Sequence, residues 1–385
     1  MEAIAISFVI GLLLSPGDHG ATREWTTLEE FLDPSAYGQS SPALGVDDQG
    51  RRHVAYTGAD PSCSPSNFCG VYYQSSLDGK AWGPAVRIPG SESAALFTMP
   101  EVEGTVGGRA YIAWFGSHGL TITWTDDVGQ TFAPLVTPDP SAPGPSTYFA
   151  MHIDPDHQLH FAWASGTSFF YLHSVWPETH GATQASPGDP VFSKAERLVL
   201  EEGTTNWSPT VAVDQLGFVS LAWIRSDQTL GFTRTLRGQP FPPSITLDVA
   251  YSVQLSVSDE GVITLLYWKD TGPYLHIYTL VSFDGGSSFA GPFEQNPTDG
   301  GLHWRKCIRS GEHGTVYAMW FEKWKQKGSI AHLTYAESHD YGQHFPFKVL
   351  VYDNRNYPGA SDVMLVATPE FRCAVEANYR YCESR

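Results

Sequence analysis

Short apolar runs recur along this chain, each broken by a polar turn and each resuming as a strand that closes on Trp or Tyr. Val46-Asp47-Asp48-Gln49-Gly50 leads to Val54-Ala55-Tyr56, and Gly107-Gly108-Arg109 leads to Tyr111-Ile112-Ala113-Trp114. Ile153-Asp154-Pro155-Asp156 leads to Phe161-Ala162-Trp163, and Val213-Asp214-Gln215-Leu216-Gly217 to Leu221-Ala222-Trp223. Ser258-Asp259-Glu260-Gly261 leads to Leu266-Tyr267-Trp268, and Gly311-Glu312-His313-Gly314 to Ala318-Met319-Trp320. The closing aromatics at 56, 114, 163, 223, 268 and 320 repeat with a period of about 50 residues. Strands this short, at this spacing and punctuated by turns, imply radial repetition of four-stranded sheets. The pattern predicts an all-β chain folded as a β-propeller.

A second pattern follows five of the six strand pairs. Thr125-Asp126-Asp127-Val128-Gly129-Gln130-Thr131-Phe132 reads (Ser/Thr)-x-Asp-x-Gly-x-(Thr/Ser)-(Phe/Trp), and Ser282-Phe283-Asp284-Gly285-Gly286-Ser287-Ser288-Phe289 repeats it in full. Ser338-His339-Asp340-Tyr341-Gly342-Gln343-His344-Phe345 departs only at His344. Ser76-Leu77-Asp78-Gly79-Lys80-Ala81-Trp82 is one residue shorter, and Thr235-Leu236-Arg237-Gly238-Gln239-Pro240-Phe241 carries Arg237 at the aspartate position. Such an octapeptide suits a tight turn: aspartate and hydroxyl satisfy turn backbone, glycine takes a conformation others resist, and the aromatic plugs between sheets. Asp78, Asp127, Asp284 and Asp340 are therefore expected to form turns and not to catalyse. With strands a and b around the first turn, c before the octapeptide and d after it, the chain spells six repeats. A seventh a–b pair follows at Ser361–Ala367 and Phe371–Tyr379. Its outer strand is expected from Trp25-Thr26-Thr27-Leu28-Glu29-Glu30-Phe31-Leu32, so that both termini close the ring and remove an open sheet edge. Seven blades are favoured, six being the alternative.

Composition agrees and narrows the partners. Hydrophobic residues make up 42% and charged residues 17% of 385 residues, enough for a large core and too few charges for disorder. The formal net charge of −18 argues against a general nucleic-acid or anionic-membrane binder. Ala3 to Leu14 has the length of a signal-peptide core, so residues 1–21 are expected to be a signal peptide and 22–385 a single propeller domain, secreted or periplasmic. Cys63 with Cys69 and Cys373 with Cys382 make plausible disulfides in that compartment, leaving Cys307 as a buried thiol. No metal-type Cys/His spacing or phosphate loop occurs, so no cofactor is expected.

The octapeptide is similar to the Asp-box, the bacterial neuraminidase repeat of the sialidase-like propellers, and the resemblance spans about residues 40 to 380. In that family the boxes lie opposite the active site, which implies that the working face carries the d–a and b–c loops. The resemblance places Asp60 at the acid/base aspartate. It puts Ser40 where a carboxylate-gripping arginine belongs and Ala360 at the nucleophilic tyrosine, with Tyr357 three residues away. Arg87-Ile88-Pro89 spells the arginine motif but falls in an outer strand. Propeller architecture is implied; sialidase chemistry is not.

On that face the catalytic candidates are Asp60, Glu101 and Tyr357. The ligand-binding candidates are Tyr148, Trp207, Tyr251, His303, Trp304, Arg305, Glu322 and Trp324, in which aromatic rings stack on sugars and Arg305 pairs with a carboxylate or sulfate. The reading is recognition of an extracellular glycan or glycoprotein. The alternative is a glycan-active enzyme using a carboxylate pair at the propeller mouth, and the sequence leaves catalysis open.

Overall fold

The structure is a computed structural model, and it describes residues 39–58, 70–77, 81–93, 99–117, 119–144, 149–175, 190–198, 206–270, 275–295, 306–323, 331–353, 363–367, 371–376 and 379–384. For 39–42, 175, 196, 206–207, 275, 306, 321–323, 331–333 and everything from 349 on, only the backbone is described.

The first sheet runs β1 (Gln39–Val46), β2 (Arg52–Gly58), β3 (Gly70–Ser76) and β4 (Val86–Arg87). The second holds β5 (Glu101–Gly104), β6 (Ala110–Gly116) and β7 (Gly119–Thr125), with Val136 bridged to Ile122 where an outer strand would run. In the third, β8 (Phe149–Ile153), β9 (Leu159–Ser165) and β10 (Ser168–Val175) are edged by both β11 (Val191–Phe192) and β12 (Glu196–Leu198). The fourth is β13 (Asn206–Val213), β14 (Phe218–Arg225), β15 (Thr229–Leu236) and β16 (Ile245–Val249). The fifth is β17 (Ser252–Val257), β18 (Ile263–Asp270), β19 (Leu275–Ser282) and β20 (Ala290–Glu294). The sixth is β21 (Lys306–Ser310), β22 (Val316–Lys323), β23 (Ala331–Ser338) and β24 (Phe347–Asp353), and the seventh is β25 (Val363–Ala367), β26 (Phe371–Glu376) and β27 (Tyr379–Ser384). Every strand pairing is antiparallel, so the expected all-β, propeller-like arrangement is present.

First strands pack against one another: β1 on β5, β5 on β8, β8 on β13, β13 on β17, β17 on β21, β21 on β25, and β25 on β1. Glycine permits the closest of these approaches. A Cβ at Gly45 would stand 2.7 Å from the Val102 carbonyl oxygen, and one at Gly104 2.4 Å from the Asp47 nitrogen. The apolar clusters lie in the seams between neighbouring sheets, where Trp114, Trp163, Trp223 and Trp320 are fully buried.

One repeat departs from its neighbours, and one expectation needs correction. In the fifth repeat the seam position belongs to Tyr267, which is buried with the fourth sheet, whereas Trp268 turns to the opposite side of the strand and stays partly exposed. Successive strand residues point to opposite faces, so the one-residue offset reverses the ring. At the C-terminus, Phe371–Tyr379 is not one strand: β26 ends at Glu376, and β27 runs back from Tyr379 to give the seventh sheet a third strand of its own. The register sets Cys373 directly opposite Cys382. The Trp25–Leu32 segment, residues 1–21 and the Cys63–Cys69 pair lie outside the described residues.

Candidate functional site

The conspicuous aspartates serve the turns. In the second sheet Thr125 Oγ1 donates to Asp127 Oδ1 (2.9 Å), the Thr131 N–H donates to the same oxygen (2.8 Å) and the Thr131 hydroxyl to Oδ2 (2.6 Å). Asp284 repeats this with Ser282 and Ser288, at 2.8, 2.8 and 2.6 Å. Asp340 repeats it with Ser338 and His344, whose Nδ1–H takes the hydroxyl's place at 2.7 Å. The Ser288 and Ser282 bonds hold the Asp284 carboxyl down at about 2. Asp78 lies outside the described residues. Three box aromatics pack edge-on against the third strand of the preceding sheet: Phe132 on Tyr73 at 5.7 Å, Phe241 on Tyr171 at 5.2 Å, Phe289 on Phe232 at 5.1 Å. Phe345 lies edge-on to Trp320 of its own sheet.

Buried Asp–His–Tyr relays are also structural. His53 meets Asp47 Oδ2 at 3.1 Å and the Tyr73 hydroxyl at 2.6 Å; His160 meets Asp154 Oδ2 at 3.0 Å and the Tyr171 hydroxyl at 2.7 Å. Burial pulls both imidazoles down while Asp47 and Asp154 stay ionised, so Nε2–H donates to carboxylate and the phenol donates to Nδ1. The same relay in two different sheets, beneath two different box plugs, marks a device of the repeat and not a reaction centre. In the fourth sheet Arg234 takes over, bonding Asp214 Oδ2.

The sequence reading missed a cluster on the inner strands. Glu103 of β5 faces Arg309 of β21 at 3.9 Å, joining the second and sixth sheets, which do not adjoin. Glu103 keeps 19% of its side chain exposed, yet it is enclosed by protein, and this desolvation pushes its carboxyl up to about 7 against the pull of Arg309. On β8, burial pulls His152 down to about 3, with His160 and Arg309 adding to the effect. Glu103 pairs with Tyr111, His152 with His160 and Arg309 with Tyr317, each one residue from the a–b turn. The cluster therefore sits at the box-turn end. An acid alternating with apolar neighbours in Glu101-Val102-Glu103 was its only sequence signal.

The other end of the sheets carries the surviving candidates. Ile263 pairs with Ser282 at the box end of the fifth sheet, and Ser252 with Trp268 at the far end. There the Tyr251 and Trp268 rings lie 6.0 Å apart, inclined at 47°, both partly exposed, and the Tyr251 N–H donates to the Trp268 carbonyl (3.0 Å). Beside them Asp248 accepts from Lys269 Nζ (2.8 Å) and the Tyr267 hydroxyl (2.6 Å); burial opposes its ionisation, and these bonds outweigh it. Across the neighbouring seam Ser208 Oγ lies 3.0 Å from Ser252 Oγ.

Trp207 pairs with Ile224 and Glu322 with His332, both at this far end; their side chains lie outside the described residues. Glu101 opens β5 of the second sheet and is partly exposed. Asp60, Tyr148, His303, Trp304, Arg305, Trp324 and Tyr357 lie outside the described residues altogether. Arg87 falls in the outer β4, where it pairs with Glu92 at 3.3 Å, as its place after a box implied. Among the described residues no group of three or more His, Cys, Asp or Glu could hold a metal.

No protein-family model matches the chain, and no curated protein does. Solved structures do. A polysaccharide lyase, an ulvan lyase, is similar with a TM-score of 0.58 at 12% identity, over 90% of this chain and 92% of its own. A protein of unknown function from Dyadobacter fermentans is similar with a TM-score of 0.50 at 13% identity, over 85% and 96%. A Hadza microbial sialidase is similar with a TM-score of 0.49 at 12% identity, over 91% of this chain and 66% of its own. The likeness to the first two is one of fold.

Proposed function

We propose that this chain is a secreted β-propeller that recognises an extracellular glycan at the strand ends opposite its box turns, without sialidase chemistry. Seven blades in one closed ring is the architecture that goes with this reading, and it is supported by the circuit of first strands from β1 through β25 and back to β1. The ulvan lyase of similar fold is a polysaccharide lyase, which agrees with a carbohydrate ligand. The observation that carries the reading is the partly exposed Tyr251–Trp268 pair at that end. Two inclined rings beside Lys269, Asp248 and the serine pair offer a sugar both an apolar platform and hydrogen-bonding groups. Binding without hydrolysis is favoured because Ser40 and Ala360 stand where the resemblance calls for arginine and tyrosine.

A glycan array tests this. The wild-type chain is expected to bind a subset of glycans, and Trp268→Ala to weaken that binding about tenfold, the scale of a lost stacking platform. Tyr251→Ala should act in the same direction. Equal binding by all three proteins would remove this site, and release of sugar from a fluorogenic sialoside would overturn the non-hydrolytic reading.

A further inference from the structure

The seam between the third and fourth sheets encloses a cavity of about 240 Å³, lined by Tyr171, His173, Thr235, Arg237, Gln239 and Phe241 among others. Here the box of the fourth sheet, Thr235–Phe241, is one residue shorter than the octapeptide. At the first-to-second and fourth-to-fifth seams a box glycine lies against the third-strand ring of the preceding sheet. A Cβ on Gly129 would stand 2.6 Å from Tyr73 Cδ1, and one on Gly286 2.4 Å from Phe232 Cε1. Tyr171 is the matching ring at this seam, but a Cβ on Gly238 would meet nothing within 4 Å. The glycine contact seen at the other two seams is absent here, and Phe241 is set edge-on against the buried Tyr171 ring.

The lining favours one chemical class. Arg237 replaces the box aspartate and crosses the seam to Asp154 and, at 2.6 Å, to Asp156. Two carboxylates already answer this one guanidinium, so an anion finds no unmatched charge here. The hydrogen-bonding groups that remain are an imidazole, an amide and a hydroxyl. His173 Nδ1–H donates to the Ser174 carbonyl (3.0 Å), which makes Nε2 the acceptor of the ring. Gln239, exposed on the turn, supplies both a donor and an acceptor. The Thr235 hydroxyl donates to the Pro240 carbonyl (3.0 Å) and keeps its lone pairs. Phe241, partly exposed, adds apolar ring surface in front of the buried Tyr171. A volume of about 240 Å³ is on the scale of a single sugar ring.

We propose that this seam is a second binding site, on the box side of the molecule, that takes a single neutral monosaccharide unit. It does not depend on the reading of the opposite end. The experiment is saturation-transfer NMR on the full chain with glucose, galactose, mannose and N-acetylglucosamine, alongside glucuronate and sialic acid. At least one neutral sugar is expected to bind, with a dissociation constant in the ~millimolar range set by so small a contact. His173→Phe, which keeps the ring stack but removes the acceptor, and Gln239→Trp, which closes the rim from an exposed turn, are each expected to weaken binding about tenfold. Melting temperatures are measured alongside, and Gln239→Trp alone decides the matter if His173→Phe folds poorly. Trp268→Ala is expected to leave this binding unchanged. No binding of any neutral sugar, preference for the anionic sugars, or binding that survives Gln239→Trp would overturn the site. Loss in Trp268→Ala together with survival in the seam variants would overturn it too, while leaving the glycan-recognition reading in place.

Discussion

In the three full boxes the two carboxylate oxygens divide their work. Oδ1 accepts from the leading hydroxyl and from a backbone N–H, and Oδ2 accepts from the side chain four residues on. His344 shows that the last donor is defined by reach and not by residue type: an imidazole N–H does what a Thr or Ser hydroxyl does elsewhere. Asp127→Ala should therefore lower stability by about 1–2 kcal/mol, as several modest bonds are lost from one turn, while glycan binding at the far end is unchanged. Chemical denaturation paired with the binding assay checks both halves, and loss of binding at full stability would return this aspartate to the list of functional residues. The turn function was legible in the sequence because every partner lies within four residues. The relays under the plugs were not, since His53 and Tyr73 are 20 residues apart and meet only when β2 pairs with β3.

At the level of strands and turns, the repeat pattern located the second strand of the first six sheets, and period-2 logic explains the one-residue slip that puts Tyr267 and not Trp268 in the seam. That slip matters for function, because it sends one ring into the seam and leaves the other for the surface. Arg237 is a different kind of miss. Read along the chain it is a worn position; read across the seam it is an ion-pair donor to carboxylates about 80 residues away, Asp154 being 83 residues distant. Sequence spacing carries no signal for such a partner. Asp154 is almost wholly buried and would keep His160 and the Gln158 N–H if Arg237 were removed. Arg237→Ala is thus expected to cost about 1–3 kcal/mol. Arg237→Asp, which restores the residue type of the other boxes, should cost more, because the new carboxylate would face Asp154 and Asp156 in a turn too short to satisfy it. Denaturation midpoints for the three proteins test the order; equal midpoints would mean that the seam does not rely on this pair.

Across the whole molecule, the inner strands bring together residues that no local pattern joins, and Glu103 with Arg309 is the clearest case. Their contact spans two sheets separated in sequence by three others, so it forms only when sheets distant in sequence are brought together. The far-end candidates are less complete: most were assigned to the starts of first strands, and seven of the eleven lie outside the described residues. The centre itself makes a pH-dependent prediction. Glu103 has a folded-state carboxyl near 7 against an ordinary value of 4.5, so its favourable contribution is fully present below about 4.5 and is lost as pH rises through about 7. His152, pulled down to about 3, slopes the opposite way: its contribution is present above about 6.5 and is lost as pH falls. The two must be separated, and the difference between Glu103→Gln and wild type does so because His152 is common to both. Glu103→Gln should match wild type near pH 4, where the native residue is also neutral, and exceed it by on the order of 1–3 kcal/mol at pH 8, where wild type holds a desolvated carboxylate. Arg309 retains 32% of its side-chain exposure and can be hydrated when its partner is neutral. Urea denaturation at both pH values decides it. A variant less stable than wild type at pH 8 would show that attraction to Arg309 outweighs desolvation, and that the centre is held by an ion pair instead of tolerating one.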